Sequence, residues 1–232
     1  MKVIFDFLSR YYPLFICGTA QTVIISLIGV AIGILLGLIV VSMRMSKFKA
    51  LSWVARCYVS IVRGTPAMIQ VMLIYYSLSK LLELPDVSIL GSSIARIIPG
   101  SIALGINSGA YTAEIFRSGI ISVPKGQTEA GLSLGLDELT TMTSIVLPQA
   151  VRNVLPALCN EFISLIKESS VLFYIGVQDL TAQALGIGGT LYDFVPPLIV
   201  AAIIYFILTF LLSQGVSVLE KKMGKKYSNG IV

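Results

Sequence analysis

Apolar and polar positions along this chain fall into long blocks instead of alternating. Residues 11–43 contain no charge, and the run from 17 to 43 exceeds the ~20 residues an α-helix needs to cross a bilayer. Similar blocks predict spans at 53–79, 97–118 and 194–219. A further segment, 151–170, has a helical length but carries Arg152, Glu161, Lys167 and Glu168. Charges at a helix centre cost ~2.5–3.5 kcal/mol each on insertion scales, so hydropathy alone passes over it.

The positive residues decide the count. Arg44, Lys47, Lys49 and Arg56 follow the first span, and Lys221, Lys222, Lys225 and Lys226 follow the last. Both clusters read as cytoplasmic. The loop at 80–96 balances its positives against Glu83 and Asp86, and the loop holding Asp179 and Asp193 has no positives, so both read as external. An even number of crossings must separate the two basic clusters, which brings in the polar segment 151–170. The expectation is an all-α membrane protein with five transmembrane helices, N-terminus out and C-terminus in, forming one domain over 1–232. Gly29, Gly33 and Gly37 recur at every fourth position, the spacing that lets helix backbones approach closely.

Composition supports this class. The chain has 232 residues, 56% of them hydrophobic and only 12% charged, with a mean hydropathy of +0.88. Soluble domains carry about a quarter charged residues. The net charge of +5 sits beside the apolar runs, where it sets topology, so nucleic acid is not an expected partner. With no histidine and three scattered cysteines, Cys17, Cys57 and Cys159, no metal site or disulfide framework is expected. The charged start, MKVIFDFLSRYYP, and the long apolar run behind it do not read as a cleavable leader. No internal repeat is evident.

Residues 119–149 then form a cytoplasmic loop between the third and fourth spans. Ser122 ahead of Pro124 reads as a helix start. Leu132, Leu136 and Leu139 make one apolar stripe, Gly135 is expected to bend or break the helix, and Asp137 to cap the next turn. The loop is rich in carboxylates, whereas a helix anchored on anionic lipid is rich in Lys and Arg. A protein partner is therefore the expected contact.

Within the spans, Asn107, Tyr111, Glu114 and Ser118 form one polar stripe, and Asn160, Ser164 and Lys167 another. Asn107 and Ser108 sit near the middle of the third span, as Asn160 and Glu161 do in the fourth, so antiparallel helices bring them to one depth. Intramembrane polar groups mark pathways or hold helices together. Glu161 and Lys167 have the chemistry to take the ammonium and carboxylate of a zwitterion, or to neutralise each other; both readings stand. Glu114 and Arg117, three apart, are expected to form a structural ion pair. Thr65 and Pro66 mark either a bend lining a pathway or a tolerated kink.

Glu129-Ala130-Gly131, three residues, Gly135, nine residues, and Ile145-Val146-Leu147-Pro148 resemble the EAA loop of ABC-importer permeases, with Gly131 in place of the second alanine. YVSIVRGTPAMIQ, NSGAYTAEIFRSGI and LPQAVRNVLPALCNEFISLIKESS are similar to segments of the polar amino-acid permeases of the histidine/glutamine/arginine type, and the likeness runs from about residue 18 to 219. This resemblance implies the type I ABC importer permease fold in a bacterial cytoplasmic (inner) membrane. It implies a coupling helix docked on a cytosolic ATPase dimer, with Glu129, Ala130, Gly131, Gly135, Ile145, Leu147 and Pro148 as the coupling residues. ATP and Mg would belong to that partner, since this chain contains no G-x-x-x-x-G-K-[ST] phosphate loop. A second permease copy or sister permease and an extracytoplasmic amino-acid-binding protein complete the implied assembly. Thr65, Pro66, Asn107, Ser108, Glu114, Asn160, Glu161, Ser164 and Lys167 are then the expected substrate pathway. The competing class is an ion-gradient-driven secondary transporter or channel without an ATPase, acting through Glu114, Glu161 and Lys167. An enzyme is disfavoured, because the sequence offers no activated nucleophile or metal-ligand cluster.

Overall fold

The computed structural model describes residues 2–82 and 84–228; Glu83, part of the external charge balance above, and the extreme ends lie outside them. The order is α1 (Lys2–Arg44), α2 (Lys49–Gly64), α3 (Ala67–Leu81), β1 (Ser88–Ile89), β2 (Ser92–Ser93), α4 (Ile94–Ile121), α5 (Lys125–Ser133), α6 (Glu138–Thr141), α7 (Leu147–Glu168), α8 (Leu180–Leu191) and α9 (Val195–Ser228). A π-helical turn, Met142–Val146, joins α6 to α7, and a 3₁₀ turn, Ser169–Ile175, follows α7. The two strands form a small hairpin turned by Leu90 and Gly91, both at positive φ, an exception to the all-helical expectation.

Two described helices are long and apolar enough to cross a membrane alone, Ser9–Arg44 and Val195–Lys222. The expected single span at 53–79 is instead α2 and α3, bent by 110° and making a third span only if counted together. The break follows from local chemistry. Thr65, ahead of a proline, is pushed to extended backbone, and Pro66 itself stands extended as the N-cap of α3. At 28 and 22 residues, α4 and α7 measure roughly 42 and 33 Å, enough for a ~30 Å hydrocarbon core. They are less apolar than the spans of α1 and α9 because of Ser, Gly and charged positions on α4 and the charges of α7.

The centre of the fold is the α1–α4 contact. Gly29, Gly33 and Gly37 face Leu104, Ser108 and Thr112 in turn, so the two helices run parallel with a constant register. A Cβ on Gly33 would lie 2.7 Å from Ser108 Oγ, and one on Gly105 would lie 2.4 Å from Ile32 Cγ2. Glycines on both helices thus set the interaxial distance, as the small-residue spacing predicts.

Helix α7 runs antiparallel to α4: Val154 packs on Gly119 near one end, while Glu161 meets Ser108 towards the other. Ile25, Leu104, Leu165, Leu172 and Val177 close the core between α1, α4, α7 and the 3₁₀ turn. Helix α9 runs parallel to α1, with Phe15 near Ala201 at one end and Val30 sharing a groove with Val216 at the other. Between them α8 is clamped. Asp179 Oδ1 accepts from the Ala182 N–H at 2.9 Å as its N-cap, and Thr22 Oγ1 accepts from the Leu180 N–H at 3.1 Å. The cysteines are free.

Candidate functional site

A cavity of about 450 Å³ opens between α4 and α7. Arg63, Tyr111, Glu114, Ser118, Asn153 and Glu161 are among the residues lining it. Glu161 comes from the middle of α7 and accepts a hydrogen bond from Ser108 Oγ at 2.8 Å. The expected meeting of polar groups at one depth therefore occurs, through Ser108 and Glu161. Ion pairing of Glu161 with Lys167 does not occur among the described residues. Six positions on a helix place two side chains about 120° apart, and Lys167, like Asn160, is exposed.

Glu114 is engaged in ion pairs. It pairs with Arg44 at the end of α1, accepts from Arg117 Nε at 2.7 Å, and has Arg63 Nη1 at 3.9 Å. The Glu114–Arg117 pair matches expectation, while Arg44 and Arg63 are long-range partners that the sequence reading missed. Arg63 also lies over the Tyr111 ring, 5.2 Å from its centroid. Among the described residues the cavity wall thus holds one carboxylate without a cationic partner, Glu161, and one guanidinium with only a long contact to a shared acid, Arg63.

Thr65 and Pro66 lie at the helix break, and a residue not singled out from sequence organises them. Gln70 Nε2 points at Val62 O (2.7 Å), Thr65 O (3.0 Å) and Thr65 Oγ1 (2.7 Å), and Gln70 Oε1 accepts from Asn107 Nδ2 at 2.9 Å. One amide therefore satisfies carbonyls freed by the break and ties it to α4. An amide side chain in an apolar helix, four residues after a proline, was the available signal. Asn107 is brought to this knot, whereas Ser164 forms no hydrogen bond with it among the described residues.

The polar loop forms a second, separate feature. Ser122, expected to start the loop helix, instead closes α4, and Pro124 is the N-cap of α5, which stops at Ser133 because Gly135 adopts φ +85°. Asp137 then caps α6, accepting from the Thr140 N–H at 3.2 Å. Bonds from the Thr140 side chain and backbone hold this exposed carboxyl below the usual carboxylate range. The expected break and cap are both present, but the leucine stripe does not lie on one helix. Leu132 lies in the last turn of α5, Leu136 in the turn that follows and Leu139 in α6, because the glycine turn intervenes. With Leu134 they form an exposed apolar group, Leu134 82% and Leu139 71% accessible. Such grouped leucines fit a partner better than water.

Glu129 and Ala130 are exposed, and Gly131 is buried. A Cβ at 131 would lie 2.8 Å from Thr141 Cγ2 and 2.9 Å from Ile145 Cδ1. The absence of a side chain at Gly131 therefore lets α5 pack closely on α6 and the π turn. Ile145 is half-buried there, Leu147 and Pro148 are exposed, and Val123, Val146 and Ala150 anchor the loop to the helical body.

Residues 20–225 match the family of binding-protein-dependent transport system inner membrane components. The chain is 37% identical to a putative glutamine transport system permease protein of Rickettsia felis, covering 94% of this chain and 98% of that protein. It is 36% identical to the arginine transport system permease protein of Bacillus subtilis, covering 91% and 93%. Among solved structures it superposes on a chain from the crystal structure of an amino acid ABC transporter with histidines, with a TM-score of 0.84 and 41% identity over 93% of this chain and 96% of that one. The chain belongs to the inner membrane components of binding-protein-dependent transport systems. It is an integral membrane permease subunit of an ATPase-coupled importer and not an enzyme, and its fold is the helical type I permease fold. Such a subunit works with an ATPase that binds ATP and with a substrate-binding protein. This sets aside the gradient-driven carrier or channel.

Proposed function

We propose that the chain passes a polar amino acid through the α4–α7 cavity of a bacterial cytoplasmic-membrane importer. The carrying observation is Glu161, a carboxylate with no cationic partner among the described residues, facing a cavity that also presents Arg63. A zwitterion needs an acceptor for its ammonium and a donor for its carboxylate. In this reading Glu161 supplies the first and Arg63 the second, replacing the Lys167 of the sequence expectation. The glutamine and arginine relatives, and the neighbour crystallised with histidines, agree with a polar amino-acid cargo.

The chain crosses the membrane five times in this reading, N-terminus out and C-terminus in. Support comes from helix direction: α1, α4 and α9 run one way and α7 the other, with the basic cluster after α1 and Lys221 and Lys222 on α9 at the same end. The leucines around Gly135 then face the cytosol and enter a groove on the ATPase, with Glu129 beside them. Two such permeases, identical or sister chains, surround the pathway, and the external loops receive the binding protein. ATP and Mg are held by the ATPase.

The test is reconstitution of the intact complex in liposomes with its binding protein and ATP inside. ATP-dependent uptake of at least one polar amino acid from a panel of amide, basic, acidic and sulfur-containing substrates is expected. Uptake of none of them, or uptake that persists without ATP, overturns the reading.

A further inference from the structure

A second opening lies on the other side of α7. The groove between α1, α7 and α9 has a volume of about 450 Å³, and Val30, Ile34, Leu155, Phe162, Leu212 and Leu219 line it. Its walls are almost wholly aliphatic or aromatic. Leu155 to Phe162 on α7 and Leu212 to Leu219 on α9 are each seven residues apart, so the groove is about 10 Å long. A void of this size on a membrane-facing seam forfeits dispersion contacts unless a chain fills it.

Charge at one end of this groove narrows the occupant. Helices α7 and α9 are antiparallel, so the start of α7 and the end of α9 flank the same mouth. Arg152 precedes Leu155 by three residues and Cys159 by seven, and therefore lies on the groove face of α7. Lys222 follows Leu219 by three and Gly215 by seven, which puts it on the groove face of α9. Both are exposed, and neither has an ion-pair or hydrogen-bond partner among the described residues. The nearest acid in sequence, Glu220, lies about 100° around α9 from Leu219.

The geometry points to a binding site for an anionic phospholipid, with one acyl chain in the groove and the headgroup phosphate between Arg152 and Lys222. The aliphatic lining takes the chain, and the two unpaired cations at the mouth select a negative head over a zwitterionic one. This site is distinct from the α4–α7 cavity: no lining residue is shared.

The test uses the intact permease–ATPase complex in mixed micelles of phosphatidylglycerol and phosphatidylcholine, with bound lipid read by native mass spectrometry. The unaltered complex should retain phosphatidylglycerol on the order of tenfold over phosphatidylcholine. Arg152→Gln with Lys222→Gln, both at exposed positions, should abolish that preference while leaving lipid bound. Gly215→Phe should displace both lipids, since a Cβ at Gly215 meets nothing within 4 Å and the ring has room to enter the groove. Equal retention of the two lipids by the unaltered complex overturns the site. So does undiminished phosphatidylglycerol retention by either variant. A Gly215→Cys permease that cross-links to a second permease copy also overturns it, because the groove is then covered by protein.

Discussion

Ser108 on α4 donates to Glu161 on α7 across 2.8 Å, joining two helices 53 residues apart in sequence. This bond holds the carboxylate at the cavity without neutralising it. A hydrogen bond to a charged group contributes about 1.5–3 kcal/mol. If Glu161 receives the substrate ammonium, Glu161→Gln removes an interaction of that size. Uptake by the reconstituted complex is expected to fall ten- to hundredfold, with permease and ATPase still copurifying. Normal uptake kinetics would leave Glu161 a helix-packing role.

Gln70 has a structural consequence of its own. Gln70→Leu leaves the Val62 and Thr65 carbonyls and the Asn107 amide without this partner. Unsatisfied groups of this kind cost about 1–3 kcal/mol each when buried. Thermal unfolding of the purified subunit should shift down, whereas a substitution at exposed Trp53 should not move it. An unchanged midpoint would show that the break needs no side-chain support.

The α1–α4 register allows a paired test. Gly105→Val puts side-chain atoms into Ile32, where a Cβ alone is 2.4 Å from Cγ2. Overpacking of this kind costs about 1–3 kcal/mol. Combining it with Ile32→Ala should recover much of the loss, measured by thermal stability in detergent. Strict additivity of the two substitutions would separate the residues.

For the loop, Gly135→Ala places a side chain at φ +85°, a strained backbone of about 1–3 kcal/mol for a non-glycine residue. Leu134→Asp changes only an exposed tip, 82% accessible. Both are expected to reduce ATPase copurification while the permease still reaches the membrane. Full retention of the ATPase in Leu134→Asp would move the docking surface elsewhere.

Much of the loop was legible in the sequence because turn chemistry is local. Gly135 breaks the helix and Asp137 caps the next one through interactions within a few residues. The placement of Leu132, Leu136 and Leu139 was less so. A periodic stripe describes one helix, and the positive φ at Gly135 divides it between two. In the cavity, Glu161 stood out as a charge inside a span, and Ser108 was placed at its depth. The ion pairs from Arg44 and Arg63 to Glu114, and the tie from Gln70 to Asn107, depend on residues 37 to 70 positions apart.

The sequence by itself determined the membrane class, the family resemblance, the glycine face of α1 and the loop's break and cap. Each rests on composition, on a repeat of three or four residues, or on a turn closed by near neighbours. Only the tertiary structure decided that residues 53–79 make two helices bent by 110°, and which charges distant in sequence neutralise one another. A proline permits a bend without setting its angle, and an acid in a span meets its distant partners only when another helix arrives beside it. For Glu161 that neighbour is a serine on α4, and so its charge is left facing the cavity.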